Sequence, residues 1–289
     1  MKVLVTGAGG LVGRAVTQYC AAQGDDVFAV DHRSLDISDA SALRTTFSEK
    51  KPEVVINCAA WTDVDGCESD PAHAKRANAL GPELLATSCC EFDVLLITIS
   101  TDYVFDGTKQ GFYTQRDQPN PISVYGRSKF EGERRAQAAW ARTIVVRSGY
   151  IFGNGGKNFL STLLSRAARN ETLKAISDMV GTPTYAPDLA RRLRALAVLD
   201  LPGVFHVVNA GDGASFESFA RTALEIAELT SAPLETVTLD DLHRPAARPR
   251  NSRLRCLWSE ALHLDPLPHW IDALHTFIES QSGSQTAAV

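Results

Sequence analysis

Short β-branched runs alternate along this chain with segments of helical length and spacing, and that alternation constrains the fold more tightly than any other feature. Val3–Val5, Val27–Val30, Val54–Ile56, Val94–Ile97, Thr143–Val146 and Val204–Val208 read as buried strands. Between them, Leu11–Ala22, Ala40–Ser48, Ala72–Cys90, Tyr125–Ala138 and Pro187–Leu199 have the spacing of crossover helices. Right-handed crossovers joining such strands build an α/β fold, a doubly wound parallel sheet with helices on both faces. After Ser148 the pattern loosens, and Gly149, Gly153, Gly155 and Gly156 lead into a helical stretch near Asn158–Ala168. The expected division is a nucleotide-binding domain over 1–148 plus about 173–210, a smaller C-terminal substrate lobe over about 149–172 plus 211–280, and a frayed polar tail over 281–289.

Composition removes several function classes. A net charge of −5 over 289 residues gives no general attraction for nucleic acid or acidic membranes, so an anionic ligand needs a local basic cluster. No apolar run approaches the roughly 18 residues that would span a bilayer, and Met1-Lys2-Val3-Leu4-Val5 reaches glycine too soon for an export signal. Six cysteines without metal-ligand spacing read as reduced thiols, which fits a cytoplasmic protein. No metal site is expected. The sequence leaves open whether the chain pairs into a homodimer.

Glycine recurs at every third position in Gly7-Ala8-Gly9-Gly10-Leu11-Val12-Gly13, directly after a strand and before an apolar helix. Gly7 permits a tight turn, Gly10 lets backbone approach a pyrophosphate, and Gly13 lets helix and strand pack closely. The N–H groups at the helix start, around Leu11 and Val12, then face the phosphates of a dinucleotide. Asp31 ends the second strand, where a carboxylate accepts from the adenosine ribose hydroxyls and favours a cofactor without a 2′-phosphate. His32 and Arg33 follow, and a guanidinium there can pair with a 2′-phosphate, so NADH and NADPH both stay open. Asp36 and Ile37 are placed to flank the adenine, with a helix cap as the alternative for Asp36. Ala59, Ala60 and Thr62 follow the third strand, whose small residues leave room for the cofactor to cross the sheet edge.

Tyr125 and Lys129 stand four residues apart on one helix face, so the ammonium is expected beside the phenol, lowering its pKa toward the working range of a proton donor. Thr101 follows the strand Val94–Ile97 at the carboxyl edge where open α/β sheets bind ligands. A hydride arriving at a carbonyl leaves negative charge on oxygen, and a hydroxyl donor and an acid must converge there. In an otherwise acidic chain, Arg248, Arg250 and Arg253, with Ser252, form a local anion-site candidate.

Gly7/Gly10/Gly13, Asn57–Ala60, Ser100–Phe105, Tyr125–Lys129, Arg147–Gly153, Gly181-Thr182-Pro183-Thr184 and Arg248–Leu254 together resemble the extended short-chain dehydrogenase/reductases, and among them the dTDP-4-dehydrorhamnose reductase family. The resemblance runs from Met1 to about Ile278. It implies a Rossmann fold, an NADPH or NADH cofactor, a nucleotide-diphosphate sugar as partner, and reduction of the C4 ketone of dTDP-4-dehydro-L-rhamnose. It assigns Tyr125 as proton donor, Lys129 to the nicotinamide ribose and the tyrosine pKa, and Thr101 to the substrate oxygen; Asp102 beside it is a candidate for contact with the sugar, with a loop-turn aspartate as the alternative.

Two positions depart from the family pattern. Tyr150 stands where many members carry a tryptophan over the sugar, and Ala15 stands where some carry a glutamate of a magnesium site at a dimer contact. Rival readings are a sibling dehydratase or epimerase that retains its NAD, and a non-catalytic regulatory subunit like the relative that binds methionine adenosyltransferase. Tyr103 replaces the glutamate expected after Thr-Asp in the dehydratases, and the intact Thr101/Tyr125/Lys129 set argues against the regulatory subunit.

Overall fold

In the computed structural model, which describes residues 1–156 and 158–286, the β-branched runs become one six-stranded sheet. Its strands in spatial order are Asp26–Val30, Lys2–Thr6, Val54–Asn57, Leu95–Thr101, Thr143–Ser148 and Gly203–His206. Every neighbouring pair is parallel. The strand Lys2–Thr6 has the second strand on one side and the third on the other, so the winding reverses at its carboxyl end, and a crevice opens there. Beneath that crevice Thr6 Oγ1 donates to Asn57 Oδ1 at 2.7 Å, and Asn57 Nδ2 donates to Thr98 Oγ1 at 3.0 Å, tying three strands together.

Side chains alternate across the sheet. Val3, Val5 and Ile56 pack with Val16, Leu189 and Leu193 of the helices Leu11–Ala22 and Ala186–Leu199. Leu4, Val55 and Leu96 face the other way, onto Leu43, Phe47, Leu85 and Ala136 of the helices Ala40–Lys50, Gly81–Phe92 and Val124–Ala139. Burial on both faces is why these strands read as continuous apolar runs.

The expected helix over Ala72–Cys90 is interrupted. Pro71–Lys75 and Gly81–Phe92 are joined by a wide π turn, Arg76–Leu80, of the kind that recurs at functional sites. It carries Asn78, whose Nδ2 donates to Ser128 Oγ and the Trp61 carbonyl, both at 3.0 Å. A Cβ added to Gly132 would lie 2.1 Å from the Asn78 carbonyl oxygen, so only glycine lets the helix Val124–Ala139 sit this close.

A second core gathers Phe152, Leu160, Leu173, Phe219, Trp270 and Phe277. Around it stand the helices Phe159–Ala167, Phe216–Ile226 and Trp270–Thr286 and short strand pairs such as Leu173–Ile176 with Leu234–Val237. The last helix covers the first six positions of the segment expected to fray, and 287–289 lie outside the described residues. Among the described residues no helix is long and apolar enough to cross a membrane.

Candidate active site

The glycine loop is shaped by close approaches. Gly7 has φ +67, and a Cβ there would meet the Ala59 nitrogen at 2.6 Å; one on Gly13 would meet the Gly7 oxygen at 2.2 Å. The helix Leu11–Ala22 starts at Gly10 with no side-chain cap and no acidic residue in its first turn, so its leading N–H groups remain available to an anion. Gly10, Leu11, Val12 and Gly13 line a cavity of about 620 Å³, together with Ala60 and Thr62.

A neighbouring cavity of about 800 Å³ shares Gly10, Cys58 and Ala60 with the first, and Gly7, Asp31, Asp36, Ile37 and Ala59 lie in its wall. Asp31 Oδ1 accepts from the backbone N–H of Arg33 at 2.9 Å and of Ser34 at 3.3 Å. Those bonds, the one from Arg33 first, hold its carboxyl below the ordinary range. Its Oδ2 looks toward Gly9, where an added Cβ would stand 3.7 Å away. Asp36 is already engaged: Ser38 N–H and Oγ donate to Oδ1 at 2.8 and 2.7 Å, and Arg76 Nη2 donates to Oδ2 at 2.7 Å. Trp61, Arg14 and Arg76 also line this cavity, and sequence spacing gave no sign of them.

Thr101 ends its strand and caps the 3-10 turn Asp102–Val104, accepting from Tyr103 N–H at 3.2 Å. Its hydroxyl donates to Asp102 Oδ1 at 3.0 Å. Tyr125 lies in the first turn of the helix Val124–Ala139, whose start is fixed by Ser123 Oγ accepting from Gly126 N–H at 3.1 Å and by Glu68 Oε1 accepting from Val124 N–H at 2.7 Å. A Cβ on Gly126 would stand 2.3 Å from the Tyr103 oxygen, so this helix rests directly on the turn that follows Thr101. Thr101, Tyr125 and Lys129 thus line one cavity with Asp102, Tyr150 and Ser252.

The electrostatics correct one expectation. Lys129 Nζ donates to the Ile99 carbonyl at 2.7 Å, and the ammonium is not what moves the Tyr125 phenol. Burial pushes that phenol above its ordinary range, a hydrogen bond with Thr101 opposes the rise, and the Asp102 charge adds to it. Spacing of one helical turn put Tyr125 and Lys129 on one face, but a backbone carbonyl of the strand Leu95–Thr101 captured the lysine. Burial lowers Lys129 itself to about 8, against the opposing charges of Glu133 and Cys58. Asp102 is pushed up to about 6 by burial, opposed by hydrogen bonds from Ser252 and Thr101. Gly149 makes room for that carboxylate, since a Cβ there would stand 2.2 Å from Asp102 Cγ.

Three buried hydroxyls in this cavity, Ser100 Oγ, Ser148 Oγ and the Tyr150 phenol, have no partner among the described residues. Buried polar groups are rarely left so, and their presence fits a site that receives a polyhydroxylated ligand and a dinucleotide. The Tyr150 ring packs 4.1 Å from that of Phe216.

The arginine cluster does not converge, which corrects the second expectation. Arg248 reaches a third cavity of about 500 Å³, lined also by Arg166, Lys174 and Arg244, which meets the first at Tyr103, Phe159, Met179 and Phe216. Arg250 lines none of these cavities; Asp178 and Asp240 hold its guanidinium at the surface. Arg253 Nε donates to Asn251 Oδ1 at 2.9 Å.

The chain matches the family described as the RmlD substrate binding domain over residues 1–282. It is 38% identical over 277 residues to a dTDP-4-dehydrorhamnose reductase of Streptomyces griseus, covering 94% of this chain and 91% of that protein. A solved dTDP-4-dehydrorhamnose reductase from Clostridium acetobutylicum superposes with a TM-score of 0.94 at 35% identity, over 98% of this chain and 100% of that one. One from Bacillus anthracis, in complex with NADP, gives 0.93 at 29% identity over 96% and 98%. A family match over residues 1–282, together with 38% identity to a relative across 94% of the chain, shows that the chain belongs to the RmlD substrate binding domain family.

Proposed function

We propose that this protein reduces the C4 ketone of a dTDP-4-dehydro-6-deoxy sugar, dTDP-4-dehydro-L-rhamnose to dTDP-L-rhamnose, at the expense of NADH or NADPH. The observation that carries the reading is the convergence of Thr101, Tyr125 and Lys129 on a cavity continuous with the glycine loop on one side and with a basic cavity on the other. When bound, the nicotinamide supplies the hydride. The residues of the chain then have separable tasks. Burial keeps Tyr125 protonated until a stronger base, the C4 alkoxide, forms beside it. Thr101 has one proton to donate, and Asp102 takes it here, so Thr101 must turn from that carboxylate to serve the substrate oxygen. Tyr150 and Phe216 offer an aromatic wall to the sugar, Ser252 holds Asp102, and Arg248 faces the diphosphate. The same reading puts the enzyme in the cytoplasm; a homodimer is compatible with it.

An absorbance assay with dTDP-4-dehydro-L-rhamnose and each reduced cofactor tests this directly. Oxidation of added cofactor in proportion to sugar is expected. No oxidation with either cofactor would overturn the reading, and sugar conversion without net oxidation would favour an epimerase.

Asp31 supports a preference between the cofactors, because its Oδ2 is the oxygen left for ribose hydroxyls. Asp31→Ala is expected to weaken NADH use about tenfold and to leave NADPH use equal or better, since the lost carboxylate repels a 2′-phosphate. Equal loss for both cofactors in kcat/KM would remove Asp31 from this role.

Lys129 gives the reaction an alkaline limit. A lysine whose pKa is lowered to about 8 loses its charge above that pH, and with it the grip on a ribose hydroxyl. The value of kcat/KM is expected to fall as pH rises through about 8, and Lys129→Met is expected to be slow at every pH with that limb gone. A limb that persists in Lys129→Met belongs to another group.

A further inference from the structure

The short helix Val64–Ser69 carries none of the site residues expected from the sequence, yet it touches both ends of the proposed site. Its Asp65 Oδ1 accepts from Arg248 Nη1 at 2.9 Å and from Ala246 N–H at 3.1 Å, while Oδ2 accepts from Arg248 Nη2 at 2.9 Å and Arg244 Nη1 at 3.4 Å. Three residues on, Glu68 binds the Val124 N–H that starts the Tyr125 helix, at 2.7 Å. One element therefore fixes both the basic loop over the third cavity and the helix that carries the phenol.

A guanidinium has five N–H donors. In Arg248, two go to Asp65 and one, from Nη1, goes to the Ala246 carbonyl at 2.9 Å. The Nε–H and the second Nη2–H remain, without a partner among the described residues, and they lie along one edge of the planar group. Two parallel donors on one edge match two oxygens of a phosphate. The Arg248 side chain is only 13% exposed, so its orientation is set by these bonds and not by solvent.

We propose that Asp65 is a positioning residue for the substrate's diphosphate: it grips Arg248 by the end of the guanidinium and thereby presents the Nε/Nη2 edge to the anion. This rests on the nucleotide-sugar reading above. The Asp65 carboxyl is held below its ordinary range, by Arg248 first, and remains a charged anchor throughout the working pH range. Glu68 sets the register of that anchor against Tyr125, so the diphosphate is gripped at a fixed place relative to the proton donor.

The test uses dTDP, with thymidine as the probe lacking phosphates, and calorimetry on the full chain. Asp65→Asn keeps the shape but drops the charge that clamps Arg248. Its dTDP Kd is expected to rise about tenfold or more while thymidine and NADH Kd stay within about twofold, and the loss in turnover is expected in KM for the sugar and not in kcat. In an Arg248→Met background, Asp65→Asn is expected to add nothing to the dTDP loss, because it acts through Arg248. An unchanged dTDP Kd in Asp65→Asn, or an equal further loss in the Arg248→Met background, overturns the proposal. Should Asp65→Asn fail to fold, Arg248→Lys, which keeps the charge but lacks the two-donor edge, is expected to give the same selective loss of dTDP, and a retained Kd overturns the proposal equally. A parent protein that neither binds dTDP nor reduces the sugar removes the functional reading itself; a parent that does both, with Asp65→Asn indifferent, removes only the role of Asp65.

Discussion

Tyr125→Phe is expected to bind cofactor as the parent does and to turn over about 10²–10⁴ times more slowly, the usual weight of a positioned general acid. The substitution is narrow. Phenylalanine keeps the ring that packs edge-on to Tyr103, 5.9 Å between centroids, and the contacts with Cys67 and Ala74 behind it. What disappears is one hydroxyl, bonded to Thr101 and aimed into the cavity that the glycine loop also lines. Since burial holds the phenol protonated, the parent always has the proton ready at neutral pH, and its removal strikes the chemical step alone. The measurement is kcat from nicotinamide absorbance beside Kd from cofactor fluorescence. Turnover within about tenfold of the parent would mean that the alkoxide takes its proton elsewhere, and Asp102, at about 6 and one hydroxyl away through Thr101, would be the next group to replace.

Much of this arrangement was legible in the sequence because parallel, doubly covered strands are written as unbroken β-branched runs, and because a helix places residues four apart on one face. The strand before Thr101, the glycine loop and the Tyr125–Lys129 pair follow from those two periodicities. Partners brought from far along the chain do not. Three guanidiniums within six residues read as one cluster, but Asp65 binds Arg248 from 183 residues away and Asp178 binds Arg250 from 72, so the cluster is pulled apart. The same holds for Lys129, captured by the Ile99 carbonyl across the strand–helix interface. The π turn at Arg76–Leu80 was hidden for another reason: one widened turn barely disturbs an apolar pattern, and it shows only in the backbone, where the Gly81 N–H donates to the Arg76 carbonyl.

Glu133→Gln is expected to cost about 3–5 kcal/mol of stability, the usual penalty for breaking a buried ion pair from one side. Glu133 and Arg147 have side chains 2% and 6% exposed, and they meet through two parallel bonds, Nε to Oε1 at 2.9 Å and Nη2 to Oε2 at 2.7 Å. The arginine also stacks over Phe105, 5.3 Å from its centroid, and cannot turn out to water without unpacking the strand Thr143–Ser148 from the helix Val124–Ala139. Left opposite a neutral amide, its charge is uncompensated in a dry interface. A fall in Tm on the order of 10 °C is expected for a chain of this size. The double variant Glu133→Met, Arg147→Met is expected to recover most of the loss, because well-packed apolar side chains commonly replace a buried pair without penalty. A loss below about 1 kcal/mol in Glu133→Gln would contradict the burial argument. The same substitution has a second reading on activity. Glu133 lies one turn beyond Lys129, and its charge opposes the desolvation that lowers the lysine to about 8. Without it Lys129 titrates lower still, so the fall in kcat/KM is expected at a more acidic pH than in the parent. Denaturant unfolding and a pH profile on one variant thus read the two roles of Glu133 separately: the clamp on Arg147 that docks the Tyr125 helix to the sheet, and the counter-charge that keeps Lys129 a cation.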